Sequence, residues 1–125
     1  IQISAHCNRV PVIDGHTACV SMGFKGKRPE INEIVEIWEN FTSLPQLLDL
    51  PSAPHHPIIV RHEVDRPQPR RDRDMDKAMA VTVGRLRECN VFDYRFVGLS
   101  HNTVRGAAGG AILMAELLTA KEYIK

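Results

Sequence analysis

Arg9 and His16, seven positions apart in the segment CNRVPVIDGH, are the residues in this sequence best suited to chemistry. A planar guanidinium grips a carboxylate through two parallel charge-assisted hydrogen bonds, while an imidazole titrates near neutrality and can carry a proton during turnover. Together they fit an anionic substrate undergoing acid/base chemistry. The same spacing also fits a surface arginine beside a packed or solvated histidine, so the pattern alone leaves both readings open.

Three cysteines are the other candidates. Cys7 stands two residues before Arg9, and a neighbouring cation favours the reactive thiolate. A strand cysteine equally serves as a small apolar filler, which is the expectation here for Cys7, Cys19 and Cys89. An odd number of cysteines without CxxC pairing points to free thiols in a reducing compartment, the cytosol by default. Two histidine and cysteine groupings invite a metal: His6, Cys7, His16 and Cys19, and then His55, His56 and His62. The first alternates across strand faces and the second falls in a proline-rich loop, so neither has ligand spacing and no metal site is expected.

The elements that must position these groups can be read from periodicity. Residues 1–8 alternate apolar and polar, which predicts a first strand. Pro11 and the Asp14-Gly15 turn signal precede a second strand-like run over 16–24. Strands lying side by side would bring Arg9 and His16 to one rim. Over 29–41, Ile31, Ile34, Val35, Trp38 and Phe41 recur at helical spacing, with Pro29 near the first turn and Glu30 and Glu33 where the helix dipole favours negative charge.

Residues 42–57 hold four prolines and predict a long surface connection with at most one short helical turn. A short apolar run, 58–60, leads into RHEVDRPQPRRDRDMDK, expected to be a loop or arm without regular period. Its five arginines between Arg61 and Arg73, interrupted by Glu63, Asp65 and Asp72, read as a solvated or subunit-bridging loop. A nucleic-acid surface is the rival, disfavoured because no aromatic residues interleave the basic ones.

Strand-like runs at 79–87 and 91–99, separated by Glu88, Cys89 and Asn90, predict an antiparallel hairpin. Phe92, Tyr94 and Phe96 would share one face of its second strand, and with Trp38 they read as core. The last element begins at Asn102, placed to cap a helix running to the end. Gly106, Gly109 and Gly110 predict that its first turns press against another backbone or a ligand.

Composition narrows the classes. A chain of 125 residues with 43% hydrophobic content fits one modest domain, and a formal net charge of +1 creates no field for nucleic acid or a membrane surface. No run approaches the roughly 20 apolar residues of a membrane span, and no signal-peptide pattern opens the chain. A start in mid-strand without methionine looks like a piece of a longer protein. So small a domain leaves much apolar surface wet, which self-association would relieve.

The run ISAHCNRVPVIDGHTACVSMGF resembles the active-site segment of aspartate-semialdehyde dehydrogenases, and NTVRGAAGGAILMAELL resembles the helix that closes their C-terminus. Between them, RPQPRRDRD resembles the RPQPR segment of the fungal and archaeal branch. The three segments stand in the family's order and cover essentially all of this chain, corresponding to about the last third of a family member.

The resemblance implies that Arg9 binds the substrate carboxylate, that His16 is the general acid/base of acyl transfer, and that Asn102 contacts the nicotinamide end of NADP. It implies an α+β fold with an antiparallel or mixed sheet and helices on one face, as in the catalytic and dimerisation half of glyceraldehyde-3-phosphate-dehydrogenase-like enzymes. Residues 1–101 would belong to that half, and residues 102–125 would form a C-terminal helix returning to an NADP-binding domain. For the full-length protein it implies NADPH-dependent reduction of L-aspartyl-4-phosphate to L-aspartate 4-semialdehyde, in cytoplasmic amino-acid biosynthesis.

Family members use a cysteine thiolate as nucleophile, and the resemblance implies a homodimer or tetramer, with neither nucleic acid nor membrane as partner. No cysteine in this chain stands in the family's SNCxT context, and no glycine-rich phosphate loop follows a first strand. These 125 residues are therefore expected to be inactive alone. The alternative is an oligomerisation or interaction module of another NAD(P)-dependent acyl-phosphate reductase.

Overall fold

The computed structural model describes residues 7–124. The expected strand over 1–8 lies mostly outside the described residues, and residues 7 and 8 form no regular element. Strand β1 spans His16–Met22, helix α1 Ile31–Glu39, the one-turn helix α2 Leu44–Leu47 and strand β2 Ile58–Arg61. Two one-turn segments follow, α3 over Pro69–Asp72 and α4 over Met75–Ala78. Strands β3, Val81–Glu88, and β4, Tyr94–Ser100, lead to a π-helical turn at Val104–Ala108 and the final helix α5 at Gly109–Ala120.

The four strands form one mixed sheet in the order β1-β4-β3-β2. β1 and β3 both pair antiparallel with β4, whereas β2 joins β3 in parallel. This is the expected α+β class. The hairpin runs as read, but its loop is five residues, 89–93, closed by the Cys89 N–H donating to Asp93 O at 3.2 Å. Phe92 consequently lies in the loop, 54% exposed, and leaves the expected aromatic stripe, whereas Tyr94 is 1% exposed.

Register separates the two sheet faces, because alternate residues of a strand point to opposite sides. Phe96 faces α1, where its ring lies 5.0 Å from that of Trp38. α1 starts at Ile31, two residues later than its periodicity allows, because Glu33 accepts the Glu30 N–H at 2.6 Å and fixes the first turn there. Just upstream, the Tyr94 hydroxyl donates to Pro29 O at 2.6 Å while Arg28 stacks over the Tyr94 ring. Tyr94 and Glu88 together hold the Arg28 guanidinium well above its ordinary pKa.

Val97, Leu99, Thr82 and Gly84 share the opposite face, and here the arm departs from expectation. It folds inward, with Asp72 only 1% exposed. That carboxylate accepts from Arg61 Nε at 3.1 Å, Arg66 Nε at 2.7 Å, Arg66 Nη2 and the Gln68 N–H at 2.7 Å. Burial alone would raise the pKa of Asp72, but the hydrogen bonds from Arg66 and Gln68 and the charges of both arginines outweigh it and hold it below the ordinary value. Thr82 Oγ donates to Asp72 O at 3.3 Å, which ties the arm to β3. Gly84 makes room for the arm: a Cβ there would stand 2.6 Å from Arg66 O.

A second cluster of Leu50, Ala53, Met79 and Leu113, flanked by Val104 and Leu117, seats α5 on the chain after α2. Glu116 secures it by accepting from the Ser52 N–H and hydroxyl at 3.0 and 2.7 Å. Two of the three glycines of the last element sit at close quarters, though against a side chain and their own preceding turn and not a separate backbone, while Gly106 has only ordinary contact. A Cβ on Gly109 would meet Met79 Sδ at 2.6 Å, and one on Gly110 would meet Arg105 O at 2.6 Å.

Candidate active site

β1 emerges from the Asp14-Gly15 turn, and His16 is its first residue, paired across the ladder with Ser100. Gly15 has φ +112°, a backbone region costly to side-chain-bearing residues. Its Cα packs so closely that a Cβ would lie 3.3 Å from both Leu99 Cδ1 and Pro69 Cβ. The arm therefore supports the turn from below.

Asn102 is drawn to the same turn. Its side-chain oxygen accepts the Gly15 N–H at 2.8 Å, across 87 positions of sequence. This corrects the expectation that Asn102 caps the last helix. The cap comes instead from His101, whose Nδ1 accepts the Thr103 and Val104 N–H groups at 3.3 Å each. Nδ1 acting as acceptor places the ring proton on Nε2, which faces Asp74 Oδ1 at 3.7 Å. The first turn is π-helical, with Gly106 N–H reaching His101 O and Ala108 N–H reaching Thr103 O, each at 3.0 Å.

Of the three expected site residues, the structure brings His16 and Asn102 together through Gly15. Arg9 stands exposed in the irregular segment before β1, with no hydrogen bond or ion pair to His16 or Asn102. His16 is exposed as well. The rim thus has a solvent-exposed imidazole and, upstream of it, an exposed guanidinium. Neighbours absent from the sequence-based site are Arg73, whose Nη1 donates to Asp14 O at 3.4 Å, and His101. The RPQPRRDRD segment was a signal for Arg73. His101, a lone histidine after a strand, carried none.

Cys7 and Cys19 are exposed, which corrects their reading as apolar fillers. No described element covers β1 at Cys19, the strand being the outer one of the sheet among the described residues. Cys89 is half-buried near the Met22 end of β1, the end away from His16. The N–H groups of Phe92 and Val91 stabilise its thiolate and, with the Ser21 hydroxyl and Arg95, pull its pKa below the ordinary value against the effect of burial.

Two grooves of about 490 and 330 Å³ lie elsewhere, along α5 beside Leu50 and Pro51 and between His55 and Lys77. Neither is lined by Arg9, His16 or Asn102. Among the described residues no three His, Cys, Asp or Glu side chains gather as metal ligands, and no helix is long and apolar enough to cross a membrane.

Comparison with known proteins gives consistent matches. Residues 1–105 match the family model described as semialdehyde dehydrogenase, dimerisation domain. The aspartate-semialdehyde dehydrogenase of Methanothermobacter thermautotrophicus is 54% identical over 118 residues, covering 93% of this chain and 34% of the relative. That of Candida albicans is 46% identical over 125 residues, covering 99% of this chain and again 34% of the relative.

The chain therefore spans about a third of the length of these curated relatives. A crystal structure of the Candida albicans enzyme with NADP superposes with a TM-score of 0.85 at 46% identity, over 92% of this chain and 32% of that one. Aspartate semialdehyde dehydrogenase II of Vibrio cholerae shares the fold, with a TM-score of 0.66 at 24% identity over 90% of this chain and 29% of that one.

Proposed function

Because this chain belongs to the semialdehyde dehydrogenase family, we propose that it is the substrate-handling and dimerisation portion of an NADP-dependent aspartate-semialdehyde dehydrogenase. The full-length protein reduces L-aspartyl-4-phosphate to L-aspartate 4-semialdehyde and releases phosphate, a cytoplasmic step in amino-acid biosynthesis. The observation that carries this reading is the hydrogen bond from the Gly15 N–H to Asn102, which ties Asn102 to the residue just before His16. It supports the reading because the Asn102 amide nitrogen has no partner among the described residues and so remains free to donate at the turn that leads into His16.

Each residue then has a defined task. Arg9 receives the substrate carboxylate through its two-pronged guanidinium, which has no ion pair among the described residues. His16 moves a proton to and from the reacting group at the water-facing rim. The amide nitrogen of Asn102 donates to the nicotinamide end of the cofactor, since its oxygen is already held by Gly15.

Asn102 would hold NADP at this rim, and the bound cofactor would supply the hydride. The phosphate-bearing length of the cofactor and the attacking thiolate require the remaining two-thirds of a family-length chain. Residues 102–125 form the segment that returns to the nucleotide domain, and residues 1–101 carry the subunit contact of a homodimer or tetramer.

Steady-state kinetics on the full-length protein that carries this segment test the assignment. His16→Ala should lower kcat by about 10²- to 10⁴-fold, and Arg9→Ala should lower kcat/KM chiefly for the amino-acid substrate. Unchanged values for both variants would remove the roles. The 125-residue chain should show no reductive activity by itself, and measurable activity would refute the requirement for a nucleophile outside it.

A further inference from the structure

The Asp14–Gly15 peptide unit is held at both of its polar ends by side chains from distant segments. Its carbonyl, Asp14 O, accepts from Arg73 Nη1 at 3.4 Å, and its N–H, on Gly15, donates to Asn102 Oδ1 at 2.8 Å. Below it, Leu99 and Pro69 leave no room even for a methyl group in ordinary contact. The β1–β4 ladder reaches His16↔Ser100, and the Asn102 side chain, two residues past Ser100, supplies the next rung in place of a backbone carbonyl. The direction of the His16 Cα–Cβ bond is therefore fixed by the ladder on one side and by this gripped peptide on the other.

Asn102 is itself held in place. His101, 7% exposed, binds the two N–H groups that follow it and turns toward Asp74. Arg73, the other grip, reaches the adjoining Asp74 through Nε at 3.4 Å. Asp74 thus stands between the two segments that grasp the turn.

We propose that Asn102, assisted by Arg73, is a positioning residue for His16: its amide oxygen fixes the Asp14–Gly15 peptide, so the residue facing the cofactor also sets the angle of the proton-transfer group. This rests on the acid/base reading of His16. It adds that the two halves of the Asn102 amide have separate tasks, the oxygen holding the turn and the nitrogen meeting the ligand.

Asn102→Asp separates those tasks, because a carboxylate still accepts the Gly15 N–H but cannot donate to a cofactor, whereas Asn102→Ala loses both. Amide hydrogen exchange and kinetics on the full-length protein give the readout. Asn102→Ala should speed exchange of the Gly15 amide roughly tenfold, the loss expected for one hydrogen bond. It should also lower kcat on its pH plateau by about 10- to 100-fold, the scale of a displaced catalytic group.

Asn102→Asp should recover the Gly15 protection while the KM for the cofactor stays raised. Gly15 protection that survives Asn102→Ala overturns the proposal, and so does a normal kcat for that variant when His16→Ala is inactive. Activity retained by His16→Ala would remove the proton-shuttle reading and the positioning role with it. That outcome is distinguishable because Gly15 protection would still follow residue 102.

Discussion

The arginines of the arm and Arg9 at the rim stand in opposite settings. In the arm, Arg61 and Arg66 close around Asp72, whose two oxygens take every donor offered, Gln68 N–H included, at 1% exposure of the residue. At the rim, Arg9 stands exposed before β1, and among the described residues no carboxylate pairs with it. The difference lies in satisfaction: a buried charge with its hydrogen bonds made contributes to one fixed structure, and an exposed guanidinium with no partner among the described residues is open to a ligand.

The strongest test of that contrast is Asp72→Ala. It leaves two arginines facing each other beneath the sheet and should cost about 3–5 kcal/mol, seen as a large drop in the denaturation midpoint. A loss no greater than that of a surface substitution would break the distinction. Gly15→Ala comes next, because it forces a side chain into φ +112° and against Leu99 and Pro69. It should cost about 1–3 kcal/mol by thermal unfolding, and it should disturb the His16 register as well.

The acid limb sharpens the comparison further. The pKa of Asp72 is depressed in the folded state, so its stabilisation is complete well above the unfolded value of about 3.9 and is lost as pH falls through the lower folded value. Stability curves of wild type and Asp72→Asn should therefore lie furthest apart near neutrality and converge below about pH 4. A constant separation would show that Asp72 acts through shape alone. The smallest effect belongs to Arg9→Ala, whose melting temperature should stay within about 1–2 °C of wild type even though substrate use falls.

Sequence reading found α1, β1 and the hairpin because each carries its own period, and Asp14-Gly15 announced the turn that Gly15 makes. It placed Arg9, His16 and Asn102 through motifs rather than geometry. It misread the arm, since a run of alternating charge looks alike whether solvated or folded around one buried carboxylate. Asn102 was misassigned for a similar reason. A polar residue at a helix entry can bond to the helix or to anything nearby, and His101 filled the cap first.

The amino-acid sequence by itself determined the local elements, the α+β class and the inventory of chemistry-bearing groups, because periodicity, turn chemistry and motif order are written along the chain. Tertiary structure alone decided the parallel union of β2 with β3, the inward fold of the arm and the grip of Asn102 on a peptide 87 positions away. Contacts between such distant residues leave no periodic trace. They form only when the packed sheet brings one particular donor within reach of one particular acceptor.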